Sequence, residues 1–180
     1  MEPTVAPEPH ARRRWSAGRV AATGVVVLLL AMWGYVLYLA FGPGRQPPPD
    51  RLDDTTFAVA AQAVCRDALD DVAELPRAVE TPDPVKRAAV VEAANDRFAR
   101  MLDDLAVLTP AGEDGAVVTA WLADWAVYLG DRSAYAEALR TDPDARLLVT
   151  PKQNEQVTEF IDAFAKDNRM PSCGTPLDVS

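Results

Sequence analysis

The chain has 180 residues, of which 49% are hydrophobic, yet its mean hydropathy is only −0.07, so a very apolar part and a rather polar part share one sequence. Its 18 Lys+Arg against 27 Asp+Glu give a formal net charge of −9, which argues against a nucleic-acid binder, since such proteins need a basic face to displace counterions from phosphate. The length allows one ordinary domain and not two large ones, and one histidine with two cysteines leaves little for metal chemistry.

The charge is unevenly divided. Residues 1–45 hold five arginines (Arg12, Arg13, Arg14, Arg19, Arg45) and two glutamates (Glu2, Glu8), for +3; residues 46–180 hold 13 basic and 25 acidic residues, for −12. A sign change of this kind marks different environments. Residues 1–19, mostly Pro, Ala, Glu and Arg, are too short and too polar to fold alone and read as a disordered tail.

Val20 to Phe41 is a run of 22 residues without a charge. As a helix it would be about 33 Å long, enough to cross a hydrocarbon core of about 30 Å. Trp15 precedes it, and Trp33, Tyr35 and Tyr38 gather in its second half, as in an interfacial aromatic belt. A buried core helix would need a polar face, which this run lacks. A cleaved signal peptide would have a shorter apolar region and a small-x-small site, whereas Tyr38-Leu39-Ala40 puts a bulky ring first. No cysteine follows the run to take a lipoprotein anchor, and Trp15-Ser16-Ala17 continues Arg12-Arg13-Arg14 poorly as a twin-arginine signal. The expectation is a transmembrane helix over 20–41, in contact with the lipid bilayer. Four arginines before it and only Arg45 and Arg51 close after it, diluted by Asp50, Asp53 and Asp54, place the N-terminus in the cytoplasm. Residues 42–52 read as a Pro/Gly-rich linker: Gly42-Pro43-Gly44 stops the helix, and Pro47-Pro48-Pro49 favours a stiff polyproline II spacer.

Residues 53–180 then form an extracytoplasmic domain, predicted all-α. A first helix starts after Asp54 or Thr55, with the stripe Phe57, Ala61, Val64, Ala68, Val72, Leu75, and ends before Pro76. A second starts at Thr81 with Pro82 and Pro84 in its first turn, buries Ala88, Val91, Ala94, Phe98, Met101 or Leu102, and Leu105, and closes at Thr109-Pro110-Ala111-Gly112. The third runs from near Asp114 to about Arg140, with Gly130 inside it as a place to bend. Arg146-Leu147-Leu148-Val149 reads as extended, and a small hairpin fits within 146–157. A short fourth helix carries Val157, Phe160, Ile161, Phe164 and Ala165 to about Asn168, and Met170 to Pro176 has too much Pro and Gly to be helical. No repeat of 20–50 residues is visible. Three long antiparallel helices and a short fourth packed as a bundle is the simplest assembly.

Cys65 lies mid-helix and Cys173 near the C-terminus. An oxidising exterior permits one bridge between them, which would pin the irregular tail onto the bundle. Two free thiols are the alternative; a redox-active pair would more usually sit as Cys-x-x-Cys.

His10, the one histidine, lies in the tail, which removes Ser-His-Asp and Cys-His catalysis and most zinc sites from the outer domain. No Gly-rich phosphate loop and no calcium loop appears, so no catalytic residue, metal or cofactor is assigned. Asp67, Asp70, Asp71, Asp103 and Asp104 read as a solvated acidic face.

The most distinctive segment is on the third helix. At 100° per residue Trp121, Trp125, Tyr128, Arg132, Tyr135 and Leu139 fall within about 40° of one direction. Arg132 therefore projects on the aromatic face, with Asp124 flanking it one turn away. One reading is an aromatic core with a partly buried Arg132 stacked on rings and paired with a carboxylate. The other is a binding groove made by Trp121, Trp125, Tyr128, Arg132 and Tyr135.

The order Trp121-Leu122-x-Asp124-Trp125, Asp131-Arg132-x-x-Tyr135-Ala136, Phe160-Ile161-x-x-Phe164-Ala165 and Asn168-x-Met170-Pro171-Ser172-Cys173 resembles a family of uncharacterised single-pass membrane proteins of high-GC Gram-positive (actinobacterial) bacteria. The resemblance covers about Cys65 to Asp178 and implies a bacterial plasma membrane and an exported helical domain; it implies no activity. With no catalytic set and no cofactor motif, the expected function is a non-enzymatic interaction or scaffold module of the cell envelope. The alternative is a ligand-binding outer domain that uses the aromatic face of the third helix.

Overall fold

A computed structural model describes residues 17–42 and 48–179. The tail up to Ser16, with Trp15 and Arg12 to Arg14, and the linker residues 43–47 lie outside the described residues. The chain divides into two units, 1–47 and 48–180.

In the first unit, α1 spans Ala17–Phe41. Gly18–Phe41 is long and apolar enough to cross a membrane, and none of it is buried in protein. The hydroxyl of Thr23 donates to the Arg19 carbonyl at 2.9 Å, so this polar side chain inside the apolar run is satisfied by its own helix.

The second unit is all-α apart from one two-stranded ribbon: α2 (Thr55–Ala73), a 3₁₀ turn (Ala78–Glu80), α3 (Pro84–Leu108), α4 (Gly112–Leu139), β1 (Pro151–Lys152), β2 (Glu155–Gln156), α5 (Val157–Asp167) and a second 3₁₀ turn (Pro171–Cys173). Asp54 caps α2, its carboxylate accepting from the Thr56 amide at 2.8 Å. The start of α3 falls three residues later than predicted, because Asp83 and not Thr81 supplies the cap: its side chain accepts from Val85 and Lys86, and Pro84 takes the first helical position. Gly130 is exposed and α4 runs through it without interruption.

α3 packs between α2 and α4, and α5 lies against α4. At the α3–α4 corner Gly112 has φ +79°, and a Cβ on Gly115 would sit 2.0 Å from the Pro110 carbonyl oxygen, so only glycine fits the first turn of α4 there. Residues 146–150 form no strand, although the Thr150 carbonyl accepts from the Val157 amide at 3.0 Å. The predicted hairpin is confined to Pro151↔Gln156 and Lys152↔Glu155, and its turn residues Gln153 and Asn154 both have positive φ, as a two-residue turn matched to strand twist requires.

The core falls into two clusters. The larger joins Phe57 and Cys65 of α2, Phe98 and Leu105 of α3, Trp121 and Trp125 of α4, Ile161 and Phe164 of α5, and Met170. The smaller holds Ala78, Ala88, Val91, Tyr135, Ala136 and Leu139. The predicted α2 stripe is rotated by part of a turn: Ala58 and Cys65 are buried, while Val64, Val72 and Leu75 are half-buried. Phe160 is half-buried as well, its ring lying under Lys152 Nζ at 4.7 Å.

Cys65 and Cys173 are joined, S–S 2.02 Å, 108 residues apart, and both are fully buried. Closing a loop near 100 residues removes denatured-state entropy worth about 4.7 kcal/mol in the chain-entropy model. The bridge fixes the C-terminal segment to α2.

Candidate functional site

The candidate face of α4 is interior. Trp121, Trp125, Tyr128 and Tyr135 are buried and Arg132 has no exposed surface at all. Trp121 stacks on Phe164 with centroids 5.0 Å apart and meets Phe57 edge-on at 6.4 Å; Trp125 lies 6.0 Å from Phe98 and 5.8 Å from Tyr128. The Trp121 indole N–H donates to the Ile161 carbonyl at 3.3 Å, whereas that of Trp125 has no acceptor among the described residues. Of the two readings of these five residues, their burial fits the aromatic core, with α2, α3, α5 and the C-terminal segment packed over them.

Arg132 is hydrogen-bonded through all three of its nitrogens. Its two terminal nitrogens donate to the two carboxylate oxygens of Asp178, each at 2.7 Å, and Nε donates to Asn95 Oδ1 at 2.6 Å. The guanidinium lies 5.2 Å from the Phe98 ring centre and 5.7 Å from that of Tyr128. Burial by itself would lower the Arg132 pKa; the hydrogen bonds and charge of Asp178 outweigh it, and the pKa stands above its ordinary value. Burial raises that of Tyr128, with Arg132 opposing. Asn95 falls between Val91 and Phe98 on α3, and Arg132 between Tyr128 and Tyr135 on α4. This polar layer therefore separates the two apolar clusters.

The partner of Arg132 is Asp178, in the irregular tail; Asp124, the carboxylate flanking the aromatic face, binds Lys152 instead, at 2.6 Å. The same device recurs. Asp114 accepts from the amides of Asp53 and Asp54, Asp131 accepts from the amide and hydroxyl of Thr150, and Asp162 accepts from the amide and hydroxyl of Thr175. Three non-helical segments are thus each clipped to a helix by one carboxylate. Asp67, Asp70, Asp71, Asp103 and Asp104 are exposed, and among the described residues no group of three His, Cys, Asp or Glu side chains could hold a metal ion.

Sequence reasoning missed Asn95, Asp178, Asn168 and Lys152. Asn95 had a signal, since it interrupts the apolar stripe of α3 as Arg132 interrupts that of α4. Asp178 had none, because irregular tails have no period.

Open space lies around this core and not along it. A cavity of about 510 Å³ separates α2 and α3 from the C-terminal segment, with Leu69, Val72, Leu75 and Val90 facing Pro176 and Leu177. A second, of about 330 Å³, holds the Lys152–Asp124 pair beside Trp121 and Phe164. A third, of about 520 Å³, lies between α2 and the end of α5. The chain matches no family model, and no curated protein or solved structure is detectably similar to it.

Proposed function

We propose that the protein is a membrane-anchored, non-enzymatic interaction or scaffold module of a bacterial cell envelope, akin to the actinobacterial single-pass proteins that its motifs resemble. In this reading α1 spans the plasma membrane, the arginine-rich tail is cytoplasmic, and residues 48–180 are extracytoplasmic and meet a protein partner, not nucleic acid. The carrying observation is the buried Cys65–Cys173 bridge in a domain that follows an apolar helix in sequence. A disulfide of this kind persists in oxidising compartments, and positive charge before the span favours that same orientation.

A ligand-binding domain is the second reading. The cavity between α2, α3 and the C-terminal segment supports it, being within the usual ligand-site range of about 300–1,000 Å³.

The topology is tested with a thiol reagent that cannot cross membranes, applied to cells that carry Asp50→Cys or Ser16→Cys. Labelling is expected at position 50 and not at 16. The reverse pattern sinks the orientation, and proximity labelling from the outer domain then identifies the neighbours.

A further inference from the structure

In a domain of charge −12, three arginines gather without a carboxylate partner. Arg66 of α2 and Arg169, just beyond α5, line the same 520 Å³ cavity, and Arg51 joins Arg169 in an adjoining hollow. None of the three forms an ion pair among the described residues, although the domain has 25 acidic side chains to offer. Asp167 is the one acid lining either space. The other walls suit an amphiphile: Ala58, Val59 and Ala63 are apolar, and Val59 is 71% exposed.

Arg169 is held there at a conformational cost. It has φ +60°, in the left-handed region where glycine is the usual residue. Its amide donates to the Lys166 carbonyl at 3.1 Å and that of Met170 to Ala165 at 2.9 Å, so Arg169 occupies the position of a helix C-terminal motif that most often carries glycine. Strained residues of this sort gather at ligand clamps. Asn168 fixes the surroundings: it accepts from the Leu52 amide at 2.8 Å and donates to the Asp50 carbonyl at 3.0 Å, tying Arg51 to the end of α5.

We propose that Arg66 and Arg169, with Arg51 beside them, form a binding site for a phosphate-bearing anion. Arginine forks match phosphate oxygens. A phospholipid headgroup is the favoured source, because Arg51 follows the end of the apolar helix by only ten residues and the apolar wall beside Val59 suits the glycerol and upper acyl carbons. That choice of source, unlike the anion site itself, rests on the reading that α1 lies in a membrane.

The full chain in neutral detergent micelles provides the test. One arm adds phosphatidylglycerol, with phosphatidylcholine as control, and counts retained lipids by native mass spectrometry. The other titrates inorganic phosphate against chloride at equal ionic strength and follows the thermal midpoint. The expected result is selective retention of phosphatidylglycerol, weakened about tenfold or more in Arg66→Gln and in Arg169→Gly. Arg169→Gly should meanwhile unfold at an equal or higher temperature, since it relieves the left-handed strain, so lost binding cannot be lost folding. Arg100→Gln, at an exposed residue that lines neither cavity, should change nothing. Phosphate-dependent stabilisation with the same arginine dependence, but without lipid retention, keeps the anion site and overturns the lipid source. No binding in either arm, or equal weakening by Arg100→Gln, overturns the site. Micelles present the domain whichever way α1 faces, so a failure here is distinguishable from a failure of the labelling test.

Discussion

Arg132 on α4 and Arg140 at its C-terminal cap lie eight residues apart, about 12 Å along the axis, and each is bound by carboxylates. Their surroundings could hardly differ more. Arg132 is fully buried, and its Asp178 partner is 19% exposed. Arg140 is 37% exposed and shares its charge between Glu92 and Glu137, 43% and 73% exposed. Its hydrogen bonds to the carboxylates of these two glutamates raise its pKa, much as Asp178 does for Arg132. The difference teaches that the worth of an ion pair is set by the water each charge gives up. A buried charge that loses its partner is stranded, whereas an exposed one is rehydrated.

The largest expected effect comes from breaking the buried pair on one side. Asp178→Ala leaves the Arg132 guanidinium charged inside the core and should destabilise the domain by about 3–5 kcal/mol, measured by denaturant unfolding of the full chain in detergent. The double variant Arg132→Met/Asp178→Leu removes both charges and should recover most of that loss. A single variant within about 1 kcal/mol of the wild type would mean that water already reaches Arg132, and the contrast with Arg140 would collapse.

What could be read from sequence follows the same division between periodic and irregular chain. α1 was legible as an unbroken apolar run, and α2 to α5 because apolar residues recur at helical steps; Asp54 and Pro76 bracket α2 as a cap and a breaker should. The direction of Arg132 was legible for the same reason: 100° per residue puts it among Trp125, Tyr128 and Tyr135. Its environment was not. Whether an aromatic face is core or groove depends on what packs over it, and here the cover comes from α3, α5 and the tail, all distant in sequence. The rotation of the α2 stripe toward Cys65 has a similar origin, since α3 and the Cys173 segment choose the buried face together. The Asp83 cap was missed because two cap candidates, Thr81 and Asp83, each followed by a proline, compete within four residues.

A smaller effect should appear at Asp54, an exposed carboxylate that caps a helix where Asp178 neutralises a core charge. Its pKa is lowered by hydrogen bonds from Thr56, side-chain first and then backbone. Because the folded value is depressed, its contribution is whole above the ordinary aspartate value of 3.8 and disappears as the pH falls through the folded value. Asp54→Asn can still cap, so stability at neutral pH should change little while part of the acid-side slope vanishes. An unchanged acid limb in unfolding monitored by circular dichroism would count against a charged cap.

The smallest effect is expected at Arg140 itself. In Arg140→Ala the two glutamates return to water, and a long side chain no longer gives up rotamer freedom to hold one geometry, so losses and gains nearly cancel. The unfolding midpoint should stay close to that of the wild type, and what difference there is should shrink as salt rises from low to physiological ionic strength. The Asp178→Ala deficit should respond far less to salt, because mobile ions do not reach a charge with no exposed surface. Parallel salt dependence in the two variants would show that Arg132 and Arg140 experience the same solvent, contrary to the burial that separates them.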